Sequence, residues 1–577
     1  MSDTSDKRVE KLKKDFARNR VFDIGEKGRG EAFVIREVTN AMHRIPASYA
    51  SHQEMAKPGT INDSLAARAY VLAMETANPN NVDPHMFLGS YELEREAMAM
   101  TARLLHCPDP APGKPDEEKH YAGWFLNGGT ESIIQAAWIY RNKYFFERFR
   151  KVKLPKYIKE SGKGKLFRDL FSIRKRGWFG VYREYQKFFD GRGKTPTPKI
   201  VAPINAHFAV DKAAEILGFG QENVARFYLK EDGRPDAASL RETMLDIVEN
   251  GDEIAMIWLV VGGTERGVLA DVGELVGKVR DIIKKQDYEP PVLIDAAAQY
   301  LFAAVMRQSE NYTDAEGLLK TVPDWDFRVP EVQAIVCDAH KNQIPYPASI
   351  LLLRDPKDAA YTMMEEAYLS LDLLREEMDS DAFERSQDHA TIPTSRAGYG
   401  VVATWAYYVG HGLAEIRRRK EKIWSLVMRL REAIARGELS SIYELMCEPD
   451  SALVTFCLRQ DWLEKRSDRV QDILDESGIE AVTPSYLNMR IYESINQSED
   501  DFFYIARSTA LGLTTEQTYR EYRRKKDDLR YGGKEEDDVY DYMGLMAHIM
   551  EHTREEDIDL LIKKLREAAE RLTALPH

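Results

Sequence analysis

Short apolar runs alternate with longer stretches of helical periodicity through the middle of the chain. Seven of these runs are predicted strands: Gly123 to Asn127, Lys199 to Ile204, Val224 to Leu229, Glu253 to Val261, Pro291 to Ala296, Gln333 to Cys337 and Ser349 to Arg354. Strands that alternate with helices are typical of a mostly parallel sheet covered by helices. In such sheets ligands bind where the strands end. The pattern therefore predicts an α/β domain whose functional residues follow its strands.

Helical and mixed patterns flank this region. Tyr91 to Leu105 reads as a helix, and Ala397 to Ala435 reads as a long helix with a dense charged face that connects to a second domain. The second domain has strand-like runs and a closing amphipathic helix: Ala452 to Leu458, Tyr486 to Tyr492, and Glu555 to Leu572. We predict an N-terminal segment, a large domain with a seven-stranded sheet, and a smaller α+β domain: 1–90, 91–395 and 396–577.

Composition narrows the function classes. The chain has 577 residues and a net charge of -14, which argues against nucleic acid as its main partner. No apolar run reaches the roughly 18 residues of a membrane span, and the amino terminus is polar, so we expect no membrane association and a cytoplasmic location. Four scattered cysteines fit reduced thiols. Basic and aromatic residues interleave over 151–199, where a helical insertion or subunit contact is favoured over a nucleic-acid surface.

A glycine-rich string joins the first predicted strand to a helix. Asn127, Gly128, Gly129, Thr130, Glu131 and Ser132 stand at this junction. Glycines there let backbone N–H groups approach an anion, the helix end adds partial positive charge, and the two hydroxyls add donors. A phosphate cradle and an ordinary tight turn with a capping hydroxyl are both compatible with the string.

Three further residues follow predicted strands. Lys341 lies beyond an apolar strand, beside His340 and before two prolines, where an amine could be desolvated for Schiff-base chemistry. Asp295 ends another strand, where a carboxylate can hold a heterocyclic nitrogen protonated or cap a helix. His207 follows a third strand and can stack on a planar group or fill the core. Together with the cradle, these residues indicate a pyridoxal phosphate site.

At this level the chain resembles the pyridoxal phosphate-dependent amino acid decarboxylases of group II, which have fold type I. The resemblance covers about Asn78 to Arg490 and is carried by strings at 127–132, 207–214, 262–267, 295–297 and 340–341. It implies that Lys341 is the Schiff-base lysine, that Asp295 is the partner of the pyridine nitrogen, and that His207 is a catalytic, ring-stacking residue. The other cofactor-binding residues that it implies are Gly128, Gly129, Thr130, Thr264, Ala297, His340 and Ser395, the last of them acting across the interface of a homodimer.

Bacterial tyrosine decarboxylases look most similar within this group. They share Asn80, Asn81, the insertion before His207, the run Ile344 to Tyr346, and the segment Ser395 to Gly398. The resemblance then implies that Tyr368 protonates the substrate α-carbon. Ala298, Gln299 and Tyr300 depart from the aromatic and two glycines of many relatives, which puts tyrosine specificity in doubt.

The expected reaction is decarboxylation of an L-amino acid to its amine and CO₂, with tyrosine or another aromatic substrate favoured. An acidic amino acid and a C–C lyase reaction on a phosphorylated amino alcohol are the alternatives. Candidate substrate contacts are His85, Phe87 and Arg490, and surface ion pairing is an equally good interpretation of Arg490.

One string suggests a different chemistry. His548 to His552 reads HxxEH, which on a helix places two histidines one turn apart, as in some zinc proteases. A third ligand would have to come from the amphipathic helix that follows, whose residues are committed to packing. We therefore expect no metal.

Overall fold

The computed structural model of the chain describes residues 54–55, 61–82, 86–108, 122–150, 173–189, 195–363, 390–466, 484–496, 504–508, 517–518 and 543–573. Its strands are β1 (Glu54–Met55), β2 (Ala122–Leu126), β3 (Pro198–Pro203), β4 (Val224–Phe227), β5 (Glu253–Val260), β6 (Val292–Asp295), β7 (Val332–Asp338), β8 (Ser349–Leu353), β9 (Tyr443–Leu445), β10 (Leu453–Leu458), β11 (Tyr504–Ser508) and β12 (Gly544–His548).

The helices lie between these strands. They are α1 (Ser64–Thr76), α2 (Leu88–Leu104), α3 (Gly129–Arg150), α4 (Ile173–Phe189), α5 (Ala209–Ile216), α6 (Ala237–Glu249), α7 (Val272–Lys285), α8 (Tyr300–Met306), α9 (Tyr399–Ala435), α10 (Gln460–Glu464), α11 (Pro484–Asn496) and α12 (Glu555–Thr573). Single 3₁₀ turns occur at Gln221–Asn223, Ala339–Asn342 and Pro356–Tyr361.

All seven strands predicted for the large domain are present in one sheet. Its order is β2-β8-β7-β6-β5-β3-β4, and the pairs among β7, β6, β5, β3 and β4 are parallel. β8 runs antiparallel to both β2 and β7. β8 is buried along its whole length, as are seven of the eight residues of β5, because helices cover both faces of a parallel sheet. The prediction of a mostly parallel α/β sheet is confirmed.

A second sheet has the order β1-β11-β12-β10-β9. It includes the predicted strand at 452–458, and α12 packs its apolar face into the core through buried Ile558, Leu561 and Leu565. β1, from the N-terminal segment, pairs in parallel with β11, so that segment joins the sheet of the second domain. In the described part of the chain, no helix is both long and apolar enough to cross a membrane.

The predicted strand from Tyr486 to Tyr492 was wrong, because this segment lies within helix α11. Leu487, Ile491 and Ile495 recur every four residues and are all buried, which is a helical period. Asn488, one position along, is fully buried and bonds the backbone N–H of Leu458 and the carbonyl of Met543. The apolar and aromatic content of the segment concealed this spacing.

The connector predicted at 397–435 is a helix, α9, but it is not continuous. α9 is interrupted at Gly412, whose φ of 68° favours glycine. Before this break α9 packs on α1, where a Cβ on Gly410 would lie 2.2 Å from a methyl group of Leu65. The basic-aromatic insertion contains helix α4, as expected, and Phe179 on that helix is 85% exposed.

Candidate active site

A cavity of about 1160 Å³ opens where the strands of the large sheet end. Each of β2, β3, β5, β6 and β7 contributes lining residues from its carboxyl end or from the loop that follows it, which is the position where ligands bind in such sheets. The structure brings together these residues singled out from the sequence: Gly128, Gly129, Thr130, His207, Thr264, Asp295, Ala297, His340 and Lys341.

The glycine-rich string forms the amino end of α3, as predicted. Glu131 caps this end, because its Oε2 accepts bonds from the backbone N–H and the side-chain amide of Asn127, both at 2.8 Å. Gly129 lies so close to the Asp338 carboxylate that a Cβ there would come within 2.7 Å of Oδ2. A side chain at this position would displace the Asp338 carboxylate, so glycine lets α3 begin close against β7.

Only one of the two hydroxyls in this string reaches the cavity. Thr130 lines it, whereas Ser132 is fully buried and its Oγ lies 2.8 Å from Ser349 Oγ on β8. The interpretation of Ser132 as a second anion donor was wrong, because the helix turns its side chain toward the sheet.

Lys341 stands in the single 3₁₀ turn that follows β7. Its Nζ lies 3.1 Å from Asp338 Oδ2, and the lysine side chain is 25% exposed. His340 Nδ1 donates a bond to the carbonyl of Ala348 at 2.9 Å, with Nε2 on the side of Asp338. Burial lowers the pKa of His340, against the opposing effect of Asp338, so the imidazole is neutral near pH 7. The turn thus presents one amine to the cavity.

Asp295 and His207 have buried, low-dielectric surroundings. Asp295 Oδ1 accepts the N–H of Ala297 at 3.1 Å, and burial raises the pKa of this carboxyl group, although Lys341 acts in the opposite direction. His207 Nδ1 accepts the N–H of Ala209, which leaves its proton on Nε2. Burial, with the charge of Lys341 adding to it, lowers the pKa of His207 to about 4, so its ring is neutral.

These residues fit a flat heterocycle that carries a phosphate and reacts with an amine. The amino end of α3, the Lys341 amine and the buried Asp295 carboxylate all border the same cavity, and a helix amino end is suited to an anion. Two buried oxygens in its lining, Asn205 Oδ1 and Asp338 Oδ1, have no hydrogen-bond partner within the described structure. Buried polar atoms of this kind are normally satisfied, so a bound polar ligand would complete the site.

The other residues named from the sequence lie elsewhere. Ser395 is exposed and bonds to Asn80, and Phe87 precedes α2 without reaching the cavity lining. Arg490 lies on α11, exposed and paired with Glu493 at 3.3 Å, which agrees with the surface-pair interpretation. His85 and Tyr368 lie outside the described residues.

The departure at 298–300 has a structural explanation. Gln299 is buried against Gly262, where a Cβ would lie 2.2 Å from Gln299 Cβ, and the φ of Gly262 is 67°. Tyr300 points into the core and shares a hydrogen bond of 2.9 Å with Tyr408. Among these three residues only Ala298 lines the cavity. Gln299 instead packs against the loop that carries Thr264.

The sequence interpretation missed several lining residues. Arg226 reaches the cavity and pairs with Asp211 at 2.6 Å, and the hydroxyl of Tyr346 stands 3.5 Å from the Cβ position of Gly128. An apolar group completes the mouth: Ile134, Trp138, Phe208, Ile216, Leu217 and Ile392. Phe208 could have been identified from the sequence, because it follows His207 directly. The other lining residues could not, because only the tertiary structure shows which side of each helix or loop faces the cavity.

His548 was also missed as a neighbour of the site. It ends β12, is 2% exposed, and forms a hydrogen bond with the backbone of Thr264. Burial, with the nearby charge of Lys341 adding to it, lowers the pKa of His548 to about 4. The HxxEH string does not form a helix as a zinc site would need, because His548 closes a strand and Glu551 and His552 lie in the following turn. The described residues contain no cluster suited to a metal.

We expect His548 to make the protein acid-sensitive. Its pKa lies below the ordinary value of 6.5, so the unfolded chain binds the proton first, and stability is lost as pH falls from about 6.5 toward about 4. One such group contributes a slope of up to about 1.4 kcal/mol per pH unit. Urea unfolding of wild type and His548→Gln between pH 7 and pH 4.5 should show a shallower decline in the variant. Parallel declines would mean that His548 is not protonated on unfolding in this range.

No protein-family model matches this chain, whereas individual proteins do. The chain is 26% identical over 410 residues to a probable L-tyrosine/L-aspartate decarboxylase of Methanothermobacter thermautotrophicus, covering 71% of this chain and 84% of that protein. It is 24% identical over 382 residues to the L-aspartate decarboxylase of Thermococcus kodakarensis, covering 66% and 73%.

Solved structures share the fold. The structure of Oryza sativa TDC with PLP and tryptamine has a TM-score of 0.65 and 14% identity, covering 98% of this chain and 97% of that one. Mouse CSAD has a TM-score of 0.66 and 14% identity, covering 97% and 92%. Glutamate decarboxylase of Lactobacillus brevis has a TM-score of 0.64 and 14% identity, covering 97% of both chains. The whole described architecture is thus that of these enzymes.

Proposed function

We infer that this chain is a group II amino acid decarboxylase of fold type I that uses pyridoxal 5′-phosphate to convert an L-amino acid into its amine and CO₂. Its homologues carry the names of tyrosine and aspartate decarboxylases, and its fold neighbours are decarboxylases as well. The observation that carries this conclusion is that Lys341, Asp295 and His207 border one cavity together with the amino end of α3.

Each lining residue has a proposed task. When bound, the cofactor supplies an electron sink for the bond that breaks at the substrate α-carbon. Lys341 would hold the cofactor through its side-chain amine. Gly128, Gly129 and Thr130 bind the phosphate through the amino end of α3. Asp295 would hold a proton on the ring nitrogen, because the positive charge of a protonated ring would favour the ionised carboxylate and oppose the burial that raises its pKa.

The remaining residues orient the ring. The neutral imidazole of His207 would stack on a flat ring, and Ala297, whose side chain is small, would leave room for that ring. Thr264 and His340 border the same space. Ser395, which does not reach the cavity of its own chain, is proposed to bind the phosphate of a partner subunit.

We propose that the substrate has an aromatic side chain. The mouth of the cavity is apolar, and among the described lining residues the only cationic side chains besides Lys341 belong to Arg226, which Asp211 neutralises. An acidic side chain would therefore lack a free cation at the described surface, and burying it would be costly. Aspartate is the alternative substrate, because the Thermococcus kodakarensis relative is named an L-aspartate decarboxylase.

A substrate panel tests this function. The cofactor-loaded protein is incubated with single L-amino acids, including tyrosine, tryptophan, aspartate and glutamate, and CO₂ and amine are measured. Amine from tyrosine or another aromatic substrate is the expected result, whereas amine from aspartate alone would overturn the aromatic assignment. Aldehyde release from a phosphorylated amino alcohol, with no amine from any amino acid, would replace the decarboxylase by a C–C lyase.

Tyr368 is the proposed proton donor to the substrate α-carbon, on the resemblance to tyrosine decarboxylases. We expect Tyr368→Phe to lower amine formation and to divert substrate to other products, such as the carbonyl compound of oxidative deamination. Product analysis by mass spectrometry, with Tyr361→Phe as a control on a described tyrosine outside the cavity lining, checks this. Unchanged amine yield in Tyr368→Phe would remove Tyr368 from this role.

We propose that the protein is a homodimer located in the cytoplasm. Large apolar side chains at least 45% exposed occur on two helices that pack together, α1 and the first half of α9: Val71, Leu72, Met74, Val409 and Leu413. Exposed apolar patches of this kind mark interfaces, and a second copy would cover them. Sedimentation velocity distinguishes a dimer from a monomer.

The cytoplasmic location is supported by the four free cysteines, which fit a reducing compartment. Cell fractionation would test it.

A further inference from the structure

Buried charged residues of α9 and of the segment after β12 contact the turn that carries Lys341. Within this turn, the side-chain amide of Asn342 donates to the carbonyl of Asp338 at 3.2 Å. The side-chain oxygen of Asn342 in turn accepts a bond from Lys420 Nζ at 3.3 Å. Lys341 lies between the two residues that this amide connects, so any movement of Asn342 changes the backbone that carries the amine.

Lys420 is itself held by Glu551. Its Nζ lies 2.8 Å from Glu551 Oε1, and both side chains are only 6% exposed. The hydroxyl of Tyr407 donates to the same oxygen at 3.1 Å. Glu551 belongs to the HxxEH string, so the segment that resembled a zinc motif supplies the carboxylate at the end of this chain of contacts.

A second path joins Glu551 to the far side of the turn. Arg419 Nη1 lies 3.2 Å from Glu551 Oε2 and 3.0 Å from Asp63 Oδ2. The backbone N–H of Asp63 donates to the carbonyl of Gln343 at 2.7 Å, and Gln343 has a left-handed φ of 65°. One carboxylate, through two neighbouring cations of α9, therefore reaches the residues on both sides of the Lys341 turn.

The charges of this cluster are matched despite their burial. Burial by itself would raise the pKa of Glu551, but Lys420, Arg419 and the Tyr407 hydroxyl outweigh it and lower the pKa. A buried ion pair contributes little net stability compared with apolar residues of the same volume, whereas it restricts geometry strongly. The cluster is therefore better suited to fixing the turn than to stabilising the fold.

We propose that Glu551 and Lys420 are positioning residues that fix the Lys341 turn so that the amine faces the cofactor. They act through Asn342 and Gln343 and do not touch the cofactor or substrate. This role rests on the proposed function only in taking Lys341 as the cofactor lysine. It gives the HxxEH segment a task that requires no metal.

The test separates geometry from stability with three variants. Glu551→Gln removes the charge, and the double variant Lys420→Met/Glu551→Leu replaces the ion pair by apolar side chains. Asp450→Asn is the matched control, because Asp450 is likewise a buried carboxylate held by an arginine and a lysine, Arg234 and Lys320, away from the Lys341 turn. Each protein is examined for melting temperature, amide hydrogen exchange in the cofactor-free state, pyridoxal phosphate incorporation at Lys341 after borohydride reduction, and kcat.

We expect Glu551→Gln to melt at a lower temperature, to exchange the amides of 339–344 faster and to incorporate the cofactor more slowly, with kcat reduced about tenfold or more. The double variant should recover the melting temperature but not the exchange, incorporation or kcat. Asp450→Asn should lose melting temperature alone. Recovery of all four quantities in the double variant, or equal loss of incorporation in Asp450→Asn, would overturn the positioning role.

The outcome does not depend on the decarboxylase assignment. If wild type releases no amine from any amino acid, exchange of 339–344 and incorporation at Lys341 still report on the turn. Faster exchange of 339–344 and slower incorporation at Lys341 in the double variant then support positioning, even though the proposed reaction is wrong. If wild type does decarboxylate, and the double variant exchanges and incorporates as wild type does, positioning alone is contradicted.

Discussion

Replacing Lys341 by alanine should abolish turnover, with kcat reduced by at least about 10³-fold, because nucleophilic attachment through the lysine amine is lost. Lys341 is the amine that lines the cavity within the described chain, and it lies 3.1 Å from the Asp338 carboxylate, against the start of α3. No other described side chain in that lining can take its place. Release of CO₂ and amine from the accepted substrate measures the effect.

The same variant gives a second readout. Borohydride reduction followed by peptide mass spectrometry should locate pyridoxal phosphate on Lys341 in wild type, and nowhere on the chain in Lys341→Ala. Lys212, which lies near His207 but over the ring of Phe208 and outside the cavity lining, offers a matched control as Lys212→Ala. That control should retain incorporation. Substantial amine formation by Lys341→Ala would refute the proposed mechanism.

Replacing Asp295 by asparagine should have the next largest effect. A neutral amide cannot hold the ring nitrogen protonated, so the electron sink weakens, and kcat should fall by roughly 10²- to 10³-fold, as when other buried electrostatic partners are removed. Because Asp295 does not contact the substrate side chain in this assignment, KM should change little. Steady-state kinetics and the absorption spectrum of the bound cofactor measure these effects.

A buried carboxylate at the other end of the sheet provides the control. Asp326 is fully buried before β7, where it pairs with Arg328 at 2.6 Å, far along the strand from its carboxyl end. Asp326→Asn should lower the melting temperature while retaining kcat and the cofactor spectrum. If Asp326→Asn lowers kcat as much as Asp295→Asn, the effect of the latter reflects a general loss of structure. Full activity in Asp295→Asn would exclude it as the partner of the ring nitrogen.

Much of the large domain could be predicted because its signals are local. The seven apolar runs of the large sheet became seven strands with ends shifted by no more than two residues, since buried parallel strands are apolar at nearly every position. The site residues follow strand ends, and parallel topology brings those ends to one edge. Lys341, Asp295 and His207 could therefore be grouped from the sequence alone.

Errors and open alternatives arose where one local pattern fits two structures. The segment 486–492 is apolar and aromatic enough for a strand, but its four-residue spacing packs as α11. The HxxEH string fits a helix in isolation, yet pairing of β12 with β10 and β11 fixes His548 in a strand. Ser132 could face an anion or the sheet, and the rotation of α3 turns it toward Ser349.

The amino-acid sequence alone specified the order of strands in the large domain and the main chemical groups of the site, because these follow from side-chain type and short-range spacing. Only the tertiary structure decided which charges are buried and what they hold. Lys420 belongs to a charged stretch that looks solvated in the sequence. In the structure it is buried and bonds to Glu551, which lies 131 positions further along the chain. His548 reaches Thr264 from a different sheet. Such contacts depend on how distant elements pack, and no local pattern encodes that packing.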